Sequence, residues 1–423
     1  MNKNHRPLEG VRVVDMATVL MGPVATQILG DYGADVIKVE PPEGDVMRHA
    51  GDGRHARMGP MYLATGRNKR SVVLDIKKPE GRRALLKLCE TADLFIHNVR
   101  PAAMRRAGLS YEDLCALNPT IVYVSLVGFG QDGPYAERPA FDDIIQAASG
   151  LAGLFVRAGY DEPAFVPANL CDRMTGLAAA HAAIAALHLR LRTGEGQAVE
   201  VPMFETLAQM VLGDHLNGQA FVPPIREAGY SRLLNAYRRP FRTRDGHIAV
   251  TPYNDKQFRA FFSAIGREAA FEADARINTH AARARHYDVA YAALAEILAS
   301  RTTEAWLALC SEHEIPCQRV STLEDLLQDE HLRSVGFFQE IEHPSEGRIL
   351  QMRHAAQWST ADVGVRRLPP RIGEDSVEVL REAGFGDDEI AGLLASGATA
   401  TPDAHGVREA GAKAAPAATG RDM

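Results

Sequence analysis

The 423 residues are enough for two domains and a sizeable core. With 46% hydrophobic and 24% charged residues the usage is that of an ordinary globular protein, and a net charge of −7 argues against a global basic field for nucleic acid or an anionic membrane. Residues 1–7 are polar, no apolar run reads as long enough to span a bilayer, and five cysteines without C-x-x-C spacing fit a reduced, cytoplasmic setting.

The first half alternates strand and helix patterns. Strands are expected at residues 11–15, 35–39, 71–74, 93–96 and 121–126. Helices are expected at 23–32, closed by Gly33, and at 79–90, with Pro79 near the start. Such alternation predicts a parallel sheet with right-handed crossovers, and ligands in such sheets sit beyond the carboxyl ends of the strands. An Ala/Leu/His/Arg stretch from Asp172 to about Arg192 reads as one helix. From Pro223 the pattern changes. A hairpin is expected over 241–250 around Asp245-Gly246, with helices from Lys256, Tyr287 and Thr303. A β segment over 337–352 and two short helices ending near Leu394 follow. The expected division is 1–222 (large α/β domain), 223–321 (small α+β domain), 322–396 (return to the large domain) and an Ala/Gly/Pro-rich, disordered tail over 397–423.

Several motifs invite a functional reading. Gly128-Phe129-Gly130-Gln131-Asp132-Gly133 follows a strand and matches G-x-G-x-x-G, but Pro134 and a polar loop stand where a helix should open. A turn is the simpler reading. His181 and His188 share a helix face without a metal-ligand cluster, so no metal site is read. Lys69-Arg70, Lys77-Lys78 and Arg82-Arg83 are either a solvated face or cations for a polyphosphate near the third strand. Arg48, Arg57, Arg157 and Arg173 could pair with a substrate carboxylate or simply face solvent. Asp172 stands where the long helix begins. It is either an N-cap or an ionised carboxylate kept for nucleophilic attack.

The blocks Gly22-Pro23, Gly33-Ala34-Asp35-Val36-Ile37-Lys38-Val39-Glu40-Pro41 and Gly44-Asp45 resemble the N-terminal signature of the class III coenzyme A transferases, the group of formyl-CoA transferase and carnitine CoA-transferase. Asn68 to Asp75, Pro79-Glu80-Gly81, Asn98-Val99-Arg100-Pro101, Gly128 to Pro134, Gln146 to Gly150 and Arg192 to Gln197 are similar again. So are Ile315-Pro316-Cys317, Asp329 to Leu332 and Leu368 to Glu374. The resemblance covers nearly the whole chain except the tail.

The resemblance implies a Rossmann-like large domain with a smaller α+β domain, in an interlocked homodimer. It puts the nucleophilic aspartate on Asp172. It puts coenzyme A contacts on Leu20 and Met21, on Leu74, Asp75, Ile76 and Lys77 beside the adenine, on Asn98, Val99 and Arg100, and on Arg106 for phosphate. Coenzyme A is then a moiety of the substrate, with no tightly bound cofactor, and the partners are an acyl-CoA and a small carboxylic acid. Leu20 replaces the glutamine of formyl-CoA transferase, which argues against a formyl substrate, and the glycine run of that branch has no counterpart around residues 233–239. Three rivals stand beside this reading. An α-methylacyl-CoA racemase needs two bases, but its histidine position holds Phe141, before Asp142. A non-catalytic CoA-binding protein would not need Asp172. A nicotinamide dehydrogenase would need the missing phosphate-loop helix.

Overall fold

The computed structural model describes residues 5–402. The chain divides into two compact units. One runs to Asp142 and continues through Asn169–Thr206 and from Ser334 onward; the other comprises Asp143–Ala168 and Leu207–Arg333. The sequence-based boundaries at 222/223 and 321/322 thus lie at 206/207 and 333/334, and residues 143–168 group with the second unit.

The first unit is built on six parallel strands: β1 (Arg12–Asp15), β2 (Asp35–Glu40), β3 (Lys69–Val73), β4 (Leu94–His97), β5 (Val122–Val127) and β6 (Gln197–Pro202). Their order is β3-β2-β1-β4-β5-β6, and every neighbouring pair is parallel. The strand order reverses between β1 and β4, so the ligand crevice of such a sheet opens beyond their carboxyl ends. The ends of five strands match the apolar runs read in the sequence to within two residues. The sixth, β6, lacks a continuous apolar run and alternates half-buried with exposed positions at an edge. Gly196 just before it is required by close approach, because a Cβ there would stand 2.3 Å from the Ile121 carbonyl oxygen.

Val14, Ile37, Val39, Val72 and Phe95 from the sheet pack with Leu85 and Leu88 from the helix Pro79–Cys89. Val379, Leu380, Ile390 and Leu393 from the C-terminal helices Ser376–Glu382 and Asp387–Ala395 join the same core. Each such side chain contributes about 1.5–3 kcal/mol on burial. The chain end is held further than the composition suggested. Thr399 Oγ1 donates to the Val73 carbonyl at 2.6 Å, Asp75 N–H donates to the Ala398 carbonyl at 2.9 Å, and Ala398 is fully buried. The expected tail therefore does not begin at 397, and its portion beyond 402 lies outside the described residues.

The helix Leu170–Thr193 is one helix of 24 residues, long and apolar enough by length and composition to cross a membrane. The sequence expectation that no such run exists is corrected. The helix is alanine-rich, and Cys171, Thr175, Ala179, Ala183 and Leu187 recur every four residues as its buried face. It packs along the helix Met21–Asp31 and beside β5 and β6.

The second unit has its own aromatic core of Phe258, Phe261, Phe262, Phe271 and Trp306. The expected hairpin is present as Phe241–Arg242 paired with His247–Val250, and Cys317–Arg319 adds a third antiparallel strand. Asp245 of the turn accepts the Thr303 N–H at 2.8 Å, tying the hairpin to the next helix.

Candidate active site

The segment after β1 is fixed from several sides. Asp15, fully buried, accepts from the Ala17 N–H at 3.0 Å, from Thr26 Oγ1 at 2.6 Å and from Lys69 Nζ at 3.2 Å. Lys38 Nζ donates to Asp45 Oδ2 at 2.7 Å and to the Ala17 carbonyl at 3.0 Å. Asn98, just after β4, accepts from the Thr18 N–H at 2.9 Å and donates to its carbonyl at 2.8 Å. The segment then enters the helix Met21–Asp31, whose N-cap position is Leu20. Gly22 allows this geometry, since a Cβ there would lie 2.1 Å from the Ala17 Cβ. Asn98 thus meets Thr18, two residues before Leu20, at the point where the strand order reverses.

Asp172 is the third residue of the long helix rather than its cap; Asn169 holds the cap position without a side-chain cap bond. The Asp172 N–H instead donates to Asp142 Oδ2 at 2.9 Å, a carboxylate 30 residues upstream. The sequence carried no signal for this pairing. The Asp172 side chain is 8% exposed. Burial first, and then the Asp142 carboxylate, push its carboxyl up to about 6, against the exposed Arg173. One turn later, Gly176 lets the two helices touch: a Cβ there would stand 2.7 Å from the Met21 carbonyl oxygen. The start of the long helix therefore lies beside Leu20 and Met21.

The other expected contacts spread along the same edge of the sheet. Leu74 is buried in the core, with its N–H on the Glu40 carbonyl. Asp75 and Ile76 are half-buried and Lys77 is exposed. Val99 is half-buried, with its N–H donated to His97 Nδ1 at 3.2 Å. Arg100 is exposed at the N-cap position of the helix Pro101–Ala107, and Arg106 is exposed in its last turn. Strands about 4.8 Å apart separate the end of β3 from that of β1 by roughly 10 Å, a span suited to an extended ligand.

Some candidates are reassigned. Lys69 and Arg70 open β3 at its amino end, away from the crevice. Lys69 is fully buried against Asp15 and pushed down by burial to about 8, while Arg70 is paired with Asp35 and Glu382. Arg48 is buried, bonded to both Glu40 oxygens at 2.7 Å and to Tyr62 Oη at 2.7 Å. It is an internal partner and not one for a substrate. The loop Gly128 to Gly133 is a turn whose Gly130 and Gln131 N–H groups are taken by Glu205 and Glu200. The chain's own carboxylates occupy the donors a phosphate would need. His181 and His188 are exposed.

The profile of CoA-transferase family III matches residues 8–376. A succinate–glutarate CoA-transferase of Agrobacterium fabrum is 33% identical over 393 residues, covering 89% of this chain and 95% of that protein. The human succinyl-CoA:glutarate CoA-transferase is 30% identical over 407 residues, covering 95% and 92%. The crystal structure of a CAIB/BAIF family protein from Brucella suis superposes with a TM-score of 0.76 at 29% identity, covering 90% of this chain and all of that one. With a parallel sheet of this order and a match spanning nearly the whole described chain, the protein belongs to CoA-transferase family III and is an enzyme that transfers coenzyme A.

Proposed function

We propose that the enzyme moves coenzyme A from an acyl-CoA thioester to a small carboxylic acid, with Asp172 as the nucleophile. The observation that carries this is a nearly buried carboxylate in the first turn of a long helix, beside the segment that ends β1. A carboxylate oxygen of Asp172 attacks the thioester carbonyl carbon. The C–S bond breaks, coenzyme A leaves as thiolate, and a mixed anhydride remains. The bound thiolate attacks the aspartyl carbonyl and expels the donor acid as carboxylate, leaving an aspartyl-CoA thioester. The acceptor carboxylate attacks that thioester and releases the thiolate, which then takes the acyl group and restores Asp172. Both nucleophiles are anions, so no step needs a metal or a proton relay. Each tetrahedral stage develops an oxyanion. The first-turn N–H groups of Met21 and Gly22 have no carbonyl partner within their own helix, and we assign them to that charge.

Leu20, Met21, Asp75 to Lys77, Asn98 to Arg100 and Arg106 would line the path of coenzyme A, which is a substrate moiety here and not a resident cofactor; Leu74, expected beside the adenine, lies behind them in the core. Relatives named for succinyl-CoA with glutarate, D-citramalate and L-malate support a short dicarboxylate as donor or acceptor. We also propose a homodimer, interlocked as the resemblance implies; exposed Phe141, Leu191 and Val222 are apolar surface for it to cover.

Replacing Asp172 by Asn removes the attacking anion with little change of shape. Transfer from succinyl-CoA to a panel of acids, read by mass spectrometry, should fall by about four orders of magnitude while the melting temperature stays near that of the parent. An Asp172→Asn enzyme with full activity would remove the mechanism.

A further inference from the structure

Val19 has φ +68°, inside the left-handed region. A β-branched residue there is a true outlier, and glycine would sit at that position without steric cost. Such a conformation persists only where its surroundings force it, and it collects at sites of function. Here the surroundings are explicit. Asp45 Oδ1 accepts the Val19 N–H at 3.2 Å and the Met47 N–H at 2.9 Å. Asp45 Oδ2 accepts from Lys38 Nζ at 2.7 Å, and the same ammonium donates to the Ala17 carbonyl at 3.0 Å. Lys38 and Asp45 are each 1% exposed. The segment 17–19 is therefore gripped at consecutive residues by a buried ion pair from β2 and the turn after it, with Asn98 holding Thr18 between them. The next two residues are Leu20 and Met21.

We propose that Asp45, oriented by Lys38, is a positioning residue for the transfer reaction: it holds Val19 in its strained left-handed conformation and so fixes where Leu20 and Met21 meet the acyl group. The claim rests on the site proposed above. Asp45 touches no substrate and acts through the main chain. Both of its oxygens are used as acceptors, so the neutral amide of asparagine cannot replace it. Turned one way, the amide NH₂ faces the Lys38 ammonium; turned the other way, it faces the Val19 and Met47 N–H groups. In either case the grip loosens and Val19 relaxes toward an ordinary φ.

The test is a rescue. Asp45→Asn should lower kcat by about tenfold or more with KM for the acyl-CoA changed much less, the pattern of a misplaced reacting group. Adding Val19→Gly to that variant should recover a large part of kcat, because glycine adopts the left-handed conformation without being held there. A purely structural Asp45 would give no recovery from a change at residue 19. The neutral pair Lys38→Gln with Asp45→Asn leaves no buried charge unpaired and gives the new amide NH₂ an acceptor in the glutamine Oε1, so the amide oxygen can still accept from Val19 and Met47. It should regain much of the kcat lost in Asp45→Asn, and a pair no faster than Asp45→Asn alone would count against the grip on Val19. An Asp45→Asn enzyme with parental kcat, or a double variant with Val19→Gly no faster than Asp45→Asn alone, overturns the proposal. Asp172→Asn measured in parallel keeps the claims apart. An active Asp172→Asn defeats the nucleophile assignment, while the Val19 rescue still decides what Asp45 does.

Discussion

At the scale of single residues, the proposed attack by Asp172 predicts a pH limit on the reaction. Burial and the neighbouring Asp142 carboxylate raise its carboxyl to about 6. Attack needs the ionised form, so the acid limb of kcat/KM should fall as the pH drops through about 6, the free-enzyme value. Asp142→Asn removes the second of the two causes and should move that limb to lower pH. A limb that stays in place would show that Asp142 does not act on Asp172. A second residue-scale expectation concerns Arg106, exposed at the end of its short helix. Arg106→Ala should weaken coenzyme A binding by roughly 1.5 kcal/mol, the low end for a charged hydrogen bond; calorimetry with unchanged affinity would take Arg106 out of the binding path. Asp172 stood out in the sequence as an acidic residue opening an alanine-rich helix, which fits a cap as well as a nucleophile; the family resemblance pointed to the second. Asp142 did not, since 30 residues, most of them an excursion into the second unit, separate it from Asp172, whose N–H it accepts.

At the scale of elements, five of the six strands of the sheet were legible because buried parallel strands are short apolar runs bounded by turn residues, and the edge strand β6 was not. The charges inside those strands were not. Lys38, Glu40 and Lys69 lie on strands, and their partners Asp45, Arg48 and Asp15 come from other segments, so burial of each could be understood only with the partner in view. Burial alone would push the Glu40 carboxyl up; Arg48, and after it Lys38, outweigh this and hold it down at about 2. The folded value lies below the unfolded one. The stabilisation is therefore complete above about 4.5 and is lost as the pH falls toward about 2. Glu40→Gln leaves Arg48 buried without its anion and should cost about 3–5 kcal/mol in urea denaturation at neutral pH. A loss below about 1 kcal/mol would mean that the other acceptors around Arg48, namely Tyr62 Oη, the Arg57 and Pro370 carbonyls and Met58 Sδ, suffice.

At the scale of the whole molecule, the chain leaves the first unit twice, at 142 and 206, and returns to it at 169 and 334. The sequence marked the later excursion by its change of pattern. It gave no sign of the earlier one, a short stretch whose two helices, Asp142–Ala148 and Leu151–Arg157, bring no change of period. If two copies are threaded through each other, the dimer cannot part without unfolding, and its stability should hardly respond to dilution. Light scattering over a wide dilution range checks this: a folded monomer at low concentration would contradict interlocking. The claim on which the rest depends is covalent chemistry at Asp172. Hydroxylamine intercepts acyl anhydrides and thioesters, so enzyme turning over an acyl-CoA in its presence should carry a hydroxamate, mapped by peptide mass spectrometry to Asp172 and absent without substrate. Turnover that leaves Asp172 unmodified, or that marks another carboxylate instead, would contradict the account.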